Sequence, residues 1–267
     1  MTTMDNRIRQ LLRQGKPTMG THLLSTWPTL WEAVGSTNQF DYVEFDSQDG
    51  AWDLYDLDNM CRAAELTKTG TMIKIDRSPK DWIAKRAIAA GFEAILFADI
   101  MTAREARECV QAVRLPPDGV NSFLGTRGIP IDDHAKIDDY AKHIDDIVIA
   151  IMVEKSTLVD ELEEVLAIDG IDMIQFGSVD YGLSLRTPKK PFRLADLNDK
   201  IQADFDRVNE MAISAGIRPR VETGDAESCQ YFLDRGIRDF CIGWDVDTVR
   251  RWCLMHGKKL REMLPKA

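Results

Sequence analysis

Eight short apolar runs recur along the chain, each separated from the next by a stretch of helical period or a loop. They cover residues 19–24, 42–45, 71–75, 94–98, 147–153, 173–176, 217–221 and 239–242. Runs this short and this apolar read as strands covered on both faces, as in a parallel sheet wrapped by helices. Residues 52–68 place Leu54, Leu57, Cys61, Ala64 and Leu66 near one helical face. Residues 156–166 open on a serine able to cap a helix, with Glu161, Glu163 and Glu164 turned to water. Residues 226–235 and 246–264 also read as helices, and 4–14 as an extra helix ahead of the first strand. Gly91, Gly216 and Gly236 each stand just before a strand, where glycine accepts the left-handed backbone that ends a helix. Helix, glycine, apolar strand is the repeating βα unit. Eight such units close into a barrel of roughly 250 residues. The chain has 267, so residues 1–267 are expected to form a single α/β domain, a TIM (βα)8 barrel. An open doubly wound sheet would want a glycine-rich phosphate turn after its first strand. That strand runs MGTHLLST and has none.

Composition narrows the partners. A formal net charge of -10 argues against a nucleic-acid partner, since phosphate binding needs a basic surface. Cys61, Cys109, Cys229, Cys241 and Cys253 are scattered, with no paired spacing. That speaks against a zinc knuckle or a disulfide framework and for a reducing, cytoplasmic setting. The opening MTTMDNRIRQLLRQGK lacks the apolar core of a signal peptide. No apolar run approaches the roughly 20 residues of a membrane span.

Several residues sit where a barrel keeps its chemistry. Glu154 ends the fifth apolar run, and Asp180 follows the sixth after Gly177, Ser178 and Val179. The C-terminal ends of barrel strands carry the catalytic groups. The two acids are 26 residues apart, about one βα unit, so they belong to neighbouring strands. Neighbouring carboxylates repel unless a cation or proton lies between them, and hard oxygen donors favour Mg²⁺ or Mn²⁺ over Zn²⁺. The same acids would equally stabilise the first turns of the helices that follow. On the second strand Glu44 and Asp46 share a face, with Gln48 next. Asp46 either supports water on a metal, with Glu44 beneath it, or caps the following turn. Lys74 shares parity with Asp76 on the third strand. It is placed to bind a carboxylate, to pair with Glu44, or to form a Schiff base. His22 near the end of the first strand has the pKa suited to proton transfer. Asp99 follows the fourth strand and would reach the rim or cap a helix. Arg114 and Arg127 are candidates for a carboxylate or a neighbouring subunit. His134 and His143 fall in an acidic stretch read as exposed, and His256 in the last helix. Two longer stretches, 115–146 and 181–205, are the expected rim loops.

These residues together resemble the HpcH/HpaI family of metal-dependent 2-oxo acid aldolases, over nearly the whole chain. LLRQGKPTMGTHL is similar to the family's opening helix and first strand, and FDYVEFDSQDG occupies the place of its FD-x-DxEH stretch. RLPPDG resembles the R-[YF]-PP-x-G turn. MVEK resembles Q-I-E-T, and LAIDGIDMIQFGSVDYGLSL resembles the motif that carries the metal aspartate. The resemblance implies that Glu154 and Asp180 hold Mg²⁺, Mn²⁺ or another divalent ion, with Asp46 and Glu44 behind them. It implies substrate contacts from Gln48, Lys74, Arg127 and Ser178. It also implies a hexamer, a trimer of dimers, with C-terminal helices exchanged between subunits.

The departures are as informative. The family's catalytic His after the second strand is Asp49 here, and the Asp that partners it falls at Ala89. The family's strand-three Arg is Lys74, its strand-one Trp is His22, and the Gln before the metal Glu is Met152. A His–Asp pair acts as one unit, so its joint loss points to replaced chemistry. His22, Asp49 and Lys74 are the expected catalytic residues. The expected reaction is class II aldol cleavage of a 4-hydroxy-2-oxo acid to pyruvate, or a related 2-oxo acid, and an aldehyde through a metal-bound enolate. The alternatives are decarboxylation, C–O lysis or C–C hydrolysis on the same scaffold, Schiff-base chemistry at Lys74, and a non-catalytic oxo-acid-binding relative.

Overall fold

Strand alternation sorts this chain into two cores, one outside a barrel and one inside it. The computed structural model describes residues 6–123, 127, 136–188 and 192–265. His134 and parts of both expected rim loops lie outside the described residues. The strands are β1 (Thr18–Leu23), β2 (Tyr42–Asp46), β3 (Gly70–Ile75), β4 (Ala94–Phe97), β5 (Val148–Val153), β6 (Met173–Phe176), β7 (Arg218–Thr223) and β8 (Asp239–Trp244). They pair in parallel in chain order, and β8 returns to β1, so the barrel is closed. The helices are α1 (Arg7–Arg13), α2 (Pro28–Gly35), α3 (Leu54–Thr67), α4 (Lys80–Ala90), α5 (Ala103–Val113), α6 (Ile137–Asp146), α7 (Ser156–Asp160), α8 (Leu162–Leu166), α9 (Ser178–Ser184), α10 (Asn198–Ser214), α11 (Cys229–Leu233) and α12 (Asp245–Met263).

Local chemistry explains where the elements begin and end. Asp53 accepts from the amides of Tyr55 and Asp56, and Asp56 returns a bond to the Asp53 amide, so α3 starts at Leu54. Gly91 closes α4 at φ 115, a conformation that strains any side chain. The helix expected over 156–166 breaks at Glu161 into α7 and α8. β7 and β8 each run two residues past the apolar runs that announced them.

Outward-facing strand residues such as Val43, Ile73, Ile95, Ile149 and Ile174 pack under the helices. Inward-facing residues split the lumen into two sides. Met72, Ala94, Leu96, Val148, Ala150, Met152 and Met173 fill one side with apolar groups. The other side is ionic: Glu44, Arg220, Gln175 and Asp239 are all buried there. Helix α1 closes the N-terminal end of the barrel. Asn6 donates to the carbonyls of Glu93 and Asp146, and Arg9 pairs with Asp172 at 2.5 Å. The C-terminal end remains as the open one. Helix α12 buries none of its residues and exposes Trp252, Leu254, Met255, Leu260 and Met263. Among the described residues no helix is long and apolar enough to cross a membrane.

His143 corrects an expectation. It is buried, because α6 turns Tyr140, His143 and Ile144 to one face at helical spacing. Asp138, Asp139 and Asp145 of the same helix are exposed.

Candidate active site

Two groups of charged residues meet at the open end. The first surrounds Glu154. This residue follows the wholly buried β5, and its Oε1 accepts the Asp99 amide at 2.7 Å. Burial pushes its pKa up, against that hydrogen bond and the Lys155 charge. Gly177 leaves it room: a Cβ there would lie 2.7 Å from Glu154 Oε2. Asp180 stands in the first turn of α9 with its side chain 52% exposed. Lys155 Nζ lies 2.5 Å from Asp99 Oδ1 and 3.7 Å from Asp180 Oδ1. Burial opposes the Lys155 charge, but Asp99, Glu154 and Asp180 outweigh it and raise its pKa. Asp99 holds φ 58, an uncommon left-handed conformation, and Gln48 Nε2 donates to its Oδ2 at 2.7 Å.

These residues fit a hard divalent cation. Oε2 of Glu154 accepts no hydrogen bond among the described residues, and Asp180 is open to solvent on the next strand's turn. An ion joining them would take the place of the Lys155 ammonium beside Asp180. Both acids offer carboxylate oxygens, the donors a hard dication prefers.

The second group fills the ionic side of the lumen. His22 Nδ1 lies 3.1 Å from Glu222 Oε1 and 3.8 Å from Glu44 Oε1, and its Nε2 lies 3.5 Å from Asp46 Oδ2. The ring meets Trp244 edge-on at 5.7 Å. Lys74 Nζ is 3.0 Å from Asp46 Oδ2, while Asp46 Oδ1 accepts the amides of Gln48 and Asp49. Below them Arg220 and Glu44 pair at 2.5 Å with no side-chain exposure on either. Arg220 also donates to the Tyr42 hydroxyl at 2.7 Å and to Gln175. Burial lowers the His22 pKa, but Glu222, Glu44 and Asp46 together raise it above its ordinary value. Burial raises Glu222, but the His22 hydrogen bond and charge win and bring it down to about 2. Burial raises Glu44 even against Arg220. Lys74 loses to burial but gains more from Asp46, so its pKa stands above the ordinary lysine value.

The expected residues are not all assembled. Glu44, Asp46, His22 and Lys74 share the lumen mouth, and the Lys74 charge acts on Glu154. The partner of Lys74 is Asp46, not Glu44, because Asp46 lies directly across the β2–β3 register from it. Gln48 reaches Asp99 across the rim. Asp49 is exposed on the turn after β2, with only its amide tied to Asp46. Ser178 is exposed and lines a cavity of about 250 Å³ with Ile201, Gln202, Phe205, Tyr231 and Phe232. Arg127 corrects another expectation. It pairs with Glu65 near the C-terminal end of α3, and its amide donates to the Ala89 carbonyl at the end of α4. Both helix ends lie at the closed end of the barrel, so within this chain Arg127 is remote from Glu154.

Three residues escaped sequence reading. Lys155 follows Glu154 directly, and nothing in MVEK marks it as the rim cation. Arg220 and Glu222 alternate on β7 in RPRVET, a pattern that reads as a solvated strand end. Their parity with Arg218, which pairs with Asp239, was the available signal.

Comparison with known proteins bears on the fold and the family. A hydroxypyruvate/pyruvate aldolase of Agrobacterium fabrum is 22% identical over 252 residues, covering 92% of this chain and 90% of that protein. A 2-keto-3-deoxy-L-rhamnonate aldolase of Escherichia coli is 27% identical over 186 residues, covering 69% and 68%. The crystal structure of an HpcH/HpaI aldolase/citrate lyase family protein from Burkholderia cenocepacia superposes with a TM-score of 0.84 at 22% identity. It covers 96% of this chain and all of its own. The family profile itself matches residues 19–250, from β1 into α12, and thus spans every strand and both charged groups. A closed barrel with its acids at the open end and a profile match of that extent place the chain in the HpcH/HpaI aldolase/citrate lyase family.

Proposed function

We propose that this protein is a divalent-metal-dependent carbon–carbon lyase that cleaves a 4-hydroxy-2-oxo acid into pyruvate, or a related 2-oxo acid, and an aldehyde. The observation that carries the reading is the meeting of Glu154 and Asp180 with Lys74 and His22 at one barrel end. A Mg²⁺ or Mn²⁺ ion on Glu154 and Asp180 would supply Lewis acidity to the 2-oxo group. Lys74, kept charged by Asp46, attracts the substrate carboxylate from the lumen side. Gln48 fixes Asp99, and Asp99 in turn fixes Glu154 through its amide. His22 is the imidazole available for proton handling where the family's His–Asp pair is missing. Asp49 and Ser178 lie on the rim, where they would meet the aldehyde portion. The exposed apolar face of α12 supports assembly into a homo-oligomer, a trimer of dimers. Five free cysteines suit a reducing, cytoplasmic compartment.

A second reading keeps the same site but changes the bond broken, to decarboxylation, C–O lysis or C–C hydrolysis. The replacement of the family's His–Asp pair by Asp49 and Ala89 favours it.

The test is chelation. Treatment with EDTA is expected to abolish pyruvate release from 4-hydroxy-2-oxo acids, and Mg²⁺ or Mn²⁺ to restore it. Cleavage that survives chelation would refute the metal-dependent reading.

A further inference from the structure

We propose that Glu222 on β7 is the residue that exchanges a proton with the substrate, and that the protonated His22 on β1 is its buried positioning partner. The proposal rests on the carbon–carbon lyase reading above.

Access decides which of the two meets the substrate. The His22 side chain is 3% exposed and the Glu222 side chain 35%. His22 Nε2 has no open surface and no hydrogen-bond partner among the described residues. Glu222 therefore forms the surface of the lumen mouth, and His22 lies one layer below it. Their contact, Nδ1 to Oε1 at 3.1 Å, is short enough for direct proton transfer. The other carboxylate oxygen, Oε2, is steadied by Gln175 Nε2 at 3.3 Å. Gln175 lies on β6, the strand that leads to Asp180, so Glu222 stands on the metal side of His22.

Charge balance decides what occupies the centre of the cage. His22 faces Glu44 and Asp46 from β2, Glu222 from β7 and the uncharged Trp244 from β8. Lys74 from β3 backs Asp46, and Arg220 from β7 backs Glu44. Asp245, at the start of α12, is engaged by the amides of Leu24 and Ser25 just beyond β1. With Asp239 matched by Arg218, the three carboxylates around His22 and the two cations that back them leave one negative charge. A single proton on the imidazole cancels it. The nearest atoms of His22, Glu44 and Glu222 lie within 4.8 Å of one another, close enough for a metal ion. A dication there would leave the buried cluster with excess positive charge beside Arg220 and Lys74, which a low-dielectric site penalises.

The step balances. Glu222, ionised, takes the proton of the 4-hydroxyl group at Oε2, while the His22 imidazolium holds Oε1 through its Nδ1–H. The hydroxyl O–H electrons form the aldehyde C=O, and the C3–C4 pair moves into the enolate of the oxo acid. Glu222 then gives that proton to C3, which becomes the methyl carbon of pyruvate, and is again ionised beside the unchanged imidazolium. No other reactant is consumed.

The test combines two readouts on the full-length protein. In Glu222→Gln, the nitrogen NMR titration of His22 is expected to fall by about one pH unit or more. Exchange of pyruvate methyl protons into deuterated water is expected to drop ~10²-fold, with pyruvate affinity close to that of the unaltered protein. Glu222→Asp should recover part of both, and unchanged thermal midpoints would show that the variants fold. Exchange retained within a few-fold in Glu222→Gln, or an unmoved His22 titration, overturns the proposal. Nitrogen coupling to bound Mn²⁺ that vanishes in His22→Gln also overturns it and assigns the metal to the cage. If the unaltered protein exchanges no pyruvate protons, the lyase reading fails separately, and the His22 titration alone then decides whether the pair exists.

Discussion

Lys74 Nζ stands 3.0 Å from Asp46 Oδ2, across the β2–β3 register at the lumen mouth. That contact decides between two chemistries for the lysine. A Schiff base requires a neutral amine, and Asp46 holds this one charged. Borohydride reduction in the presence of pyruvate is therefore expected to leave the mass of the Lys74 peptide unchanged. A covalent adduct there would reinstate Schiff-base chemistry. Lys74→Gln should weaken oxo-acid binding about 10-fold or more, read by calorimetry with pyruvate, since a charged hydrogen bond contributes about 1.5–3 kcal/mol.

Gly177 gives a test of the metal position that leaves every ligand in place. An added Cβ would lie 2.7 Å from both Cβ and Oε2 of Glu154. Gly177→Ala should displace that carboxylate and weaken Mn²⁺ binding, measured by electron paramagnetic resonance. Glu154→Gln and Asp180→Asn should weaken it further. Unaltered Mn²⁺ affinity in all three would place the ion elsewhere.

Arg220 and Glu44 form an ion pair with no solvent exposure on either side chain. Removing one partner strands a buried charge, at a cost of about 3–5 kcal/mol. Arg220→Met is expected to show this as a large fall in the denaturant midpoint. Adding Glu44→Gln to that variant should recover part of it, because the double change leaves no unpaired charge.

His143 sets an acid limit on stability. Burial lowers its pKa from 6.5 to about 4, and neither ring nitrogen finds a partner among the described residues. The unfolded chain takes up the proton first as pH falls. The contribution is thus full above about pH 6.5 and is lost progressively toward pH 4, amounting to as much as ~3 kcal/mol. Thermal midpoints of His143→Phe should decline less across that window than those of the unaltered chain. Parallel curves would show that another group governs the decline.

Helix α12 exposes Trp252 (62%) and Met255 (66%) together with Leu254, Leu260 and Met263. A face this apolar on a 19-residue helix is expected to be covered by association. Light scattering is expected to show an oligomer, and Trp252→Glu with Met255→Glu to yield smaller species. A monomer at micromolar concentration in the unaltered protein would count against the assembly.

The repeat of helix, glycine and apolar strand was enough to read the barrel, because backbone periodicity and helix termination are local properties. Strand parity likewise put Glu44, Asp46 and Lys74 inside, and position after a strand put Glu154 and Asp180 at the open end. Only the closed barrel decided who faces whom. β7 carries Arg220 and Glu222 across the lumen to Glu44 and His22, whose sequence positions are 176 and 200 residues away. Charge alternation on one strand says nothing of a partner on another. Arg127, for the same reason, read as a rim residue until helix packing set it at the closed end. His143 read as exposed until α6 turned it inward. Sequence thus determined which residues form strands, helices and rim positions. Tertiary structure decided which charges neutralise one another, because that depends on closure distances between strands far apart in the chain.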